Sequence, residues 1–557
     1  MPDWHDWLPA VQFWQLEVLL AAVVVLSLLE LPALARAVDA SGRTWAGAAA
    51  AGATALALTI GLAPRTNRIL YDELIYQHVG QNLADRGRAE TCNDGTVADG
   101  RLQCRLTEYS KHPYGYPHLL SVVYRAAGVD ERHAWTVNNI TAGLLPVVVC
   151  AVTVLLFADR RAGMLAATAA ALVPQQWIWS NTAAVEPTAA LAASLAVLAA
   201  AWFARSGRTR ALVWTVVAAA WACQFRIESV LVVPVAIAIA LIGRQAWRDV
   251  RIWCAGAAGA LLLAPLLLHV IAVSGQSWGA PTERLSLAFV RDNLSVNGPF
   301  YLTNLRFPVV VTVLAAAGVI ARRRQAVAWA VVAYFVLFWS IYLSFYAGSY
   351  DHGADVRFSL LTHPPLAILA GLGASAVAGR IRWPAARAAV PLGLAASCVS
   401  FVPLVARVGE DGWQARADVA AAREFAALVP PGGVVLTHNP SMFLLFGVGA
   451  AQMSLAAVDP AYVSDRLGPR APGGVYYHHN FWCAVSDPVQ TRFCTEVRAR
   501  FALDLVAERH VRDVRYALYR LRVPGRELAS ASSFLVPDVP VVPVHSCALT
   551  LFGFPGR

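Results

Sequence analysis

Twelve long apolar stretches, near residues 12–34, 45–63, 135–157, 162–180, 186–204, 211–225, 228–243, 252–273, 304–321, 325–346, 358–379 and 388–405, divide this chain. A helix crossing a bilayer needs about 20 such residues. In lipid, a backbone with no partner of its own must close its hydrogen bonds within one segment, so runs of this kind fold as helices. Only 14% of the 557 residues are charged, against about 25% in ordinary soluble domains, and the mean hydropathy is +0.52. The expected fold class is therefore an α-helical multi-pass membrane protein with about twelve spans. The first run is long, lacks a basic lead-in and is followed by further runs, so it reads as a span, not a cleavable signal.

The net charge of +10 raises a nucleic-acid reading, but the arginines sit in short clusters between apolar runs. Alternate loops hold Arg36 and Arg43; Arg160 and Arg161; Arg205, Arg208 and Arg210; Arg244, Arg248 and Arg251; Arg322 to Arg324; and Arg380, Arg382 and Arg387. That pattern places these loops in the cytoplasm of a plasma (inner) membrane protein and excludes a nucleic-acid groove. The opposite, external set comprises the N-terminus, loop 64–134, the short loop 181–186, loop 274–303, loop 347–357 and everything after 405.

Two external regions carry most of the polar sequence. Within loop 64–134, Leu74, Ile75, Val79 and Leu83 recur at helical spacing and predict an amphipathic helix on the membrane surface over 71–85. Residues 91–104, rich in Gly and Asp, read as a turn, and 119–127 as a second surface helix. After 405 the composition shifts to that of a soluble unit. Helices are expected over 416–428, 441–447 and 488–500, and strands at 434–437, 475–477 and 515–521. The chain therefore divides into a membrane domain, 1–405, and a small external α/β domain, 406–557. Cys92 and Cys104 share one external region and Cys483 and Cys494 another, so each pair is placed to close a disulfide in an oxidising compartment. Cys547 is left over. The fingerprint Gly371-Leu372-Gly373-Ala374-Ser375-Ala376 lies inside an apolar run with no strand before it, and reads as helix packing, not a nucleotide cradle.

Chemistry concentrates at the external ends of the spans. Asp72 and Glu73 follow a span directly, which suits either simple interfacial solvation or a general base or metal ligand at the membrane surface. Lys111 is the only lysine among 45 basic residues, and with His112 it offers a compact cation where a leaving phosphate develops charge. Glu186 opens the helix after loop 181–186, as a dipole-favoured acid or a second site acid. Arg226 and Glu228 are a mutual ion pair or part of the site. Arg357 either snorkels to lipid headgroups or binds a lipid phosphate at that depth. Tyr114 and Tyr116 complete the aromatic loop after Lys111.

The order of these motifs is specific. An apolar span precedes Tyr71-Asp72-Glu73-Leu74-Ile75-Tyr76; then come Lys111-His112-Pro113-Tyr114-Gly115-Tyr116-Pro117, an acid in the second external loop, Arg226-Ile227-Glu228 and Arg357-Phe358. Over residues 45–380 this resembles the GT-C superfamily of membrane glycosyltransferases, in the branch of protein O-mannosyltransferases and of aminoarabinose and RgtA/B/C/D-like transferases. A single Pro113 stands where two consecutive prolines are common in that family, and span 12–34 precedes the usual first one.

The resemblance implies a polyprenyl-phosphate sugar donor and inversion at the anomeric carbon. Asp72 would be the base, supported by Glu73. Lys111, His112 and Arg357 would meet the donor phosphate, and Glu186, Tyr114, Tyr116, Arg226 and Glu228 would position substrate. The acceptor would be a glycan, lipid or protein hydroxyl of the cell envelope. No cofactor is implied beyond a divalent metal that the Asp-Glu pair leaves open. The competing reading is a transporter or lipid flippase, which calls for ionisable residues at mid-span and helices broken in paired halves. A binding module with a membrane anchor ranks last, since twelve spans exceed what anchoring requires.

Overall fold

Each of the twelve apolar stretches falls on helix in the computed structural model, which describes residues 4–242, 248–276, 283–303, 306–350, 355–383, 387–485 and 488–522. Cys547, residues 351–354 of loop 347–357 and the chain beyond 522 lie outside the described residues. Among those described, seven helices are long and apolar enough to cross a membrane: Trp4–Asp39, Arg43–Leu62, Glu131–Phe157, Glu186–Ser206, Val250–Ala272, Ala326–Ser344 and Val356–Arg380. Thr209–Ala222, Ile227–Leu241, Val309–Arg322 and Ala389–Val405 are shorter apolar helices. The expected span 162–180 is two helices, Arg160–Leu172 and Pro174–Trp179. Proline disfavours the helical conformation of the residue before it, and Val173 is extended there (φ −69°, ψ 118°).

Burial sorts the long helices. The apolar windows of Glu186–Ser206 and Val356–Arg380 are 83% buried, against 22% for Trp4–Asp39 and 11% for Val250–Ala272. The first two form the centre of the bundle, and the last two present apolar faces outward, as lipid-facing helices do. Close packing at the centre uses the glycine run. A Cβ on Gly371 would lie 2.5 Å from the carbonyl oxygen of Ala162, and one on Gly373 would collide with that of Leu314. Three helices therefore touch through backbone, which is what the Gly-rich fingerprint is for. At one end of the bundle the arginine loops meet: Arg322 lies 3.0 Å from Asp159 and Arg160 lies 3.4 Å from Asp39.

At the other end stands one seven-stranded sheet. Its strands are β1 (Thr91–Ala98), β2 (Arg101–Glu108), β3 (Val434–Thr437), β4 (Gly449–Gln452), β5 (Val475–His479), β6 (Ala502–Val511) and β7 (Val514–Arg522), in the order β2-β1-β4-β3-β5-β7-β6. β3 runs parallel to both neighbours, with Val435 opposite Ala450 on one side and Tyr476 on the other. The outer pairs are antiparallel hairpins.

The hairpin β1–β2 replaces the turn expected at 91–104. Asp94 and Gly95 pair with Ala451 and Ala450, so the sheet spans the division at 405 drawn from composition. Asn93, Asp94 and Gly95 are poor strand formers, and their pairing partner is far away in sequence. Asp99-Gly100, both at positive φ (52° and 74°), was the legible signal, because such a dipeptide favours the turn twist of a two-residue hairpin. Cys92 is bonded to Cys104, joining β1 to β2, and Cys483 to Cys494.

The helix expected to lie on the membrane surface, Asp72–Arg86, is instead enclosed. Asp72 to Leu74 and Tyr76 to Leu83 are all buried. The polar residues on its presumed water face have protein partners: the Asn82 amide donates to the Glu90 carbonyl at 2.7 Å, and His78 accepts from Cys92 N–H at 3.2 Å. Burial holds the His78 imidazole down at about 4, as a neutral acceptor requires. Periodicity identified the helix correctly, but the second cover came from the sheet domain. Gly115–Ala127, by contrast, keeps Val122, Arg125, Ala126 and Ala127 exposed and is a half-buried surface helix.

Candidate active site

Asp72 opens helix Asp72–Arg86, where backbone N–H groups without helical partners favour a carboxylate. The residue before it, Tyr71, has φ 71° and ψ −42°, and the Asp72 N–H donates to the Leu70 carbonyl at 3.0 Å. This is a γ-turn of the positive-φ kind, rare and strained for a residue with a bulky side chain. It turns the chain sharply into the helix and aims Asp72 away from its neighbour.

Glu73 points the other way. Its Oε2 accepts from the backbone N–H of Arg68 (2.7 Å) and Ile69 (3.0 Å), and its Oε1 from that of Ala183 (3.1 Å). It is fully buried. Burial pushes its carboxyl up to about 7, against the pull of those three donors. Glu73 therefore ties the entry turn to loop 181–186 and supports Asp72 by fixing the backbone, not by sharing its pocket.

The Asp72 carboxylate faces two cations and an imidazole that burial holds below its usual pKa. Lys111 Nζ lies 3.2 Å and His112 Nε2 3.7 Å from Oδ1, and the Arg357 guanidinium 3.3 Å from Oδ2. Burial alone would raise this carboxyl, but Lys111, His112 and Arg357 outweigh it and hold it well below the usual range. Arg357 also reaches Glu186 Oε1 at 2.8 Å. Glu186 in turn binds Arg226, Arg226 binds Glu228, and the Tyr342 hydroxyl donates to Glu228. Both guanidinium groups approach the Phe358 ring, at 4.8 Å for Arg226 and 4.6 Å for Arg357. Arg226 and Glu228 thus pair with each other and are linked through Glu186 to the cluster around Asp72. Lys111 and His112, at 21% and 18%, are the most exposed side chains of the cluster.

Tyr114 and Tyr116, expected beside the substrate, have their hydroxyls engaged within the protein. The Tyr114 hydroxyl accepts from Ser110 N–H at 3.1 Å. That of Tyr116 donates to the Ala134 carbonyl (3.2 Å) and accepts from Asn138 (3.3 Å). Both rings are buried and shape the loop that carries Lys111. Gly115 between them is required by contact: its N–H donates to the Gln224 carbonyl at 2.6 Å, where a Cβ would lie 2.7 Å from that oxygen. This contact sets the segment leading to Arg226 against the loop that carries Lys111. Two residues that the sequence did not single out join the cluster. Tyr76 sits one helical turn after Asp72, and its ring meets those of His112 (5.1 Å) and Tyr116 (6.0 Å). The i, i+4 spacing was its legible signal. Tyr342 lies at the end of an apolar helix with no motif around it.

The donor set does not suit a divalent ion at Asp72 and Glu73. Hard cations want converging carboxylate oxygens, whereas Asp72 faces ammonium and guanidinium groups and the oxygens of Glu73 face N–H donors. Among the described residues, the one cluster with metal-ligand proximity is His438, Cys483 and Cys494, whose two sulfurs are bonded to each other.

Comparison with known proteins gives a consistent picture. Residues 111–269 match the dolichyl-phosphate-mannose-protein mannosyltransferase family. The structure superposes on the oligosaccharyltransferase of Archaeoglobus fulgidus with a TM-score of 0.53 at 12% identity, covering 84% of this chain and 73% of that one. ArnT from Cupriavidus metallidurans, bound to undecaprenyl phosphate, matches with a TM-score of 0.53 at 14% identity over 87% of this chain and 99% of the other. The chain has the GT-C fold. No curated protein matches it in sequence, and the likeness to the solved structures is one of fold. Within the GT-C fold, the matched stretch includes Lys111, Glu186, Arg226 and Glu228, while Asp72 and Arg357 reach the cluster from outside it.

Proposed function

We propose that this protein is an inverting glycosyltransferase. It moves a sugar from a polyprenyl-phosphate carrier to a hydroxyl of a cell-envelope glycan, lipid or protein, at the external face of a plasma membrane. The observation that carries this reading is the Asp72 carboxylate held between Lys111 and Arg357. The GT-C architecture and the undecaprenyl phosphate in the similar ArnT structure support a lipid-phosphate donor. The arginine loops gathered at the far end of the bundle support the external placement.

The mechanism follows from which groups are paired. In the free protein, Asp72 neutralises the two cations that a donor phosphate needs. When the donor enters past Lys111, its phosphate takes Lys111 and Arg357, and Asp72 loses the charges that hold its carboxyl down. It then becomes a stronger base, at the moment an acceptor hydroxyl must lose its proton. The acceptor oxygen attacks the anomeric carbon, its proton passes to Asp72, and the bond from that carbon to the phosphate oxygen breaks. The polyprenyl phosphate leaves with its negative charge held by Lys111 and Arg357, and needs no general acid. Glu186 and Arg226 fix the orientation of Arg357.

The deciding experiment incubates the purified, reconstituted protein with labelled polyprenyl-phosphate sugars and envelope acceptors. Release of free polyprenyl phosphate coupled to acceptor labelling is the expected result. Sugar-lipid crossing the vesicle with no bond broken would favour a flippase instead.

A further inference from the structure

The sheet domain has a feature that its role as a cover does not require. From β3 the chain crosses to β4 on one side, and the next strand, β5, lies on the other side of β3. In open α/β sheets, the crevice at such a reversal, beyond the carboxyl ends of the strands, is where ligands bind. Here those ends carry His438 and Asn439 after β3, and His479 and Asn480 at β5. What reaches Asn480 is no small molecule but Tyr71. The Asn480 side-chain amide donates to the Tyr71 hydroxyl at 2.9 Å. The same hydroxyl lies against the carboxylate of Asp418, which is fully buried. The Trp482 ring meets the Tyr71 ring edge-on at 6.1 Å. Asn480 is itself held by His438 at 3.1 Å, and His438 by the Gln490 carbonyl at 3.1 Å. Nearby, Gly412 packs on Arg68 so closely that a Cβ would lie 3.0 Å from the Arg68 Cα.

Tyr71 is also the residue at the centre of the strained γ-turn that aims Asp72. A bulky residue keeps such a conformation only where its surroundings over-determine it. The bundle side supplies one restraint, through Glu73 and Ala183. The Tyr71 ring and hydroxyl accept the other from the sheet domain.

We infer that Tyr71 is a positioning residue, clamped by Asn480, Asp418 and Trp482, through which the α/β domain holds Asp72 in its reactive place. The inference rests on the proposed transfer reaction and adds a task for the domain beyond covering the site. Sugar transfer fails when the reacting groups are misplaced by about an ångström, so the domain controls turnover without touching substrate.

The test uses full-length protein in nanodiscs. The variants are Tyr71→Phe, Asn480→Ala, the shape-conserving Asn480→Asp, and the double Tyr71→Phe/Asn480→Ala. Three quantities are read: turnover, affinity for undecaprenyl phosphate, and amide hydrogen exchange over 72–75. Each single variant is expected to lower turnover roughly ten-fold or more, to speed exchange over 72–75, and to leave phosphate-lipid affinity near that of the wild type. The double variant should be no worse than the worse single one, because both changes cut the same bond. Unchanged exchange and turnover in all singles would overturn the clamp, as would losses that multiply in the double. Faster exchange in the variants of a wild-type protein that transfers no sugar would leave the clamp standing and remove the transferase reading. Normal transfer with unmoved exchange would do the reverse.

Discussion

Asp72 looks into a pocket of side-chain cations, while one residue later Glu73 is wrapped by three backbone N–H groups. The first environment is exchangeable: Lys111 is partly exposed, and a phosphate can replace the carboxylate as partner of both cations. The second is permanent, because backbone donors that lose their acceptor in a buried turn find no other. On the proposed mechanism, two adjacent acids thus separate into a working group and a fixing group. The strained turn at Tyr71 is what sends them in different directions.

The largest expected effect is on the exchangeable side. Asp72→Asn is predicted to lower turnover by about a thousand-fold, within the range of a lost general base. Affinity for polyprenyl phosphate should hold or tighten, since the competing anion is gone. Isothermal titration with the lipid phosphate alongside single-turnover kinetics checks both, and clearly weaker binding would mean that Asp72 does not compete for those cations. Lys111→Ala comes next, with donor affinity down about thirty-fold or more and Lys111→Arg milder. Equal binding by wild type and Lys111→Ala would take Lys111 out of the phosphate site.

The pH profile sharpens the same contrast. The cations hold the free protein's Asp72 carboxyl well below the usual range. The acidic limb of kcat/KM, which reports the free enzyme, should therefore lie at lower pH than that of kcat, which reports the donor complex. Coincident limbs would argue against the exchange of partners.

The smallest effects belong to the fixing side. Glu73→Gln replaces one acceptor oxygen by a donor amide and should cost about 1–3 kcal/mol of stability. Turnover per folded molecule should fall far less than in Asp72→Asn. Burial raises the carboxyls of Glu73 and Asp418 to about 7, above their unfolded values. The folded state therefore holds protons that the unfolded chain releases. Their contribution is full below the ordinary carboxylate range and is lost as pH rises to about 7 and past it. Buried histidines such as His78 move the whole-protein profile the other way, so the readout is the difference in melting: from about pH 5 to about pH 8, Glu73→Gln or Asp418→Asn should gain stability relative to the wild type. A difference between variant and wild type that stays flat over that interval would contradict the assigned environments.

Much of this was legible along the chain because lipid leaves a helix little alternative. Apolar length located every span-like helix, arginine spacing paired the loops, and Gly371 and Gly373 read correctly as packing. The site residues Asp72, Lys111, Glu186 and Arg357 were visible as charges at span ends, and the structure brings them into one connected cluster. The hydroxyls of Tyr114 and Tyr116 are engaged within the protein, which sequence could not foretell, because an aromatic next to a cation looks the same whether it faces a ligand or the core. The hairpin at 91–108 and the cover over helix Asp72–Arg86 were hidden for another reason. Both depend on β4 and on helix Pro440–Leu445, and a pairing across that much sequence leaves no local period to read.

By itself the sequence determined what must be helical and where charge must leave the lipid, because a bilayer penalises each unsatisfied polar group at once and locally. Only the tertiary structure decided which of two adjacent acids meets the cations. That choice rests on one positive-φ turn held from both sides, by Ala183 below and Asn480 above, and such a conformation has no cause within its own few residues.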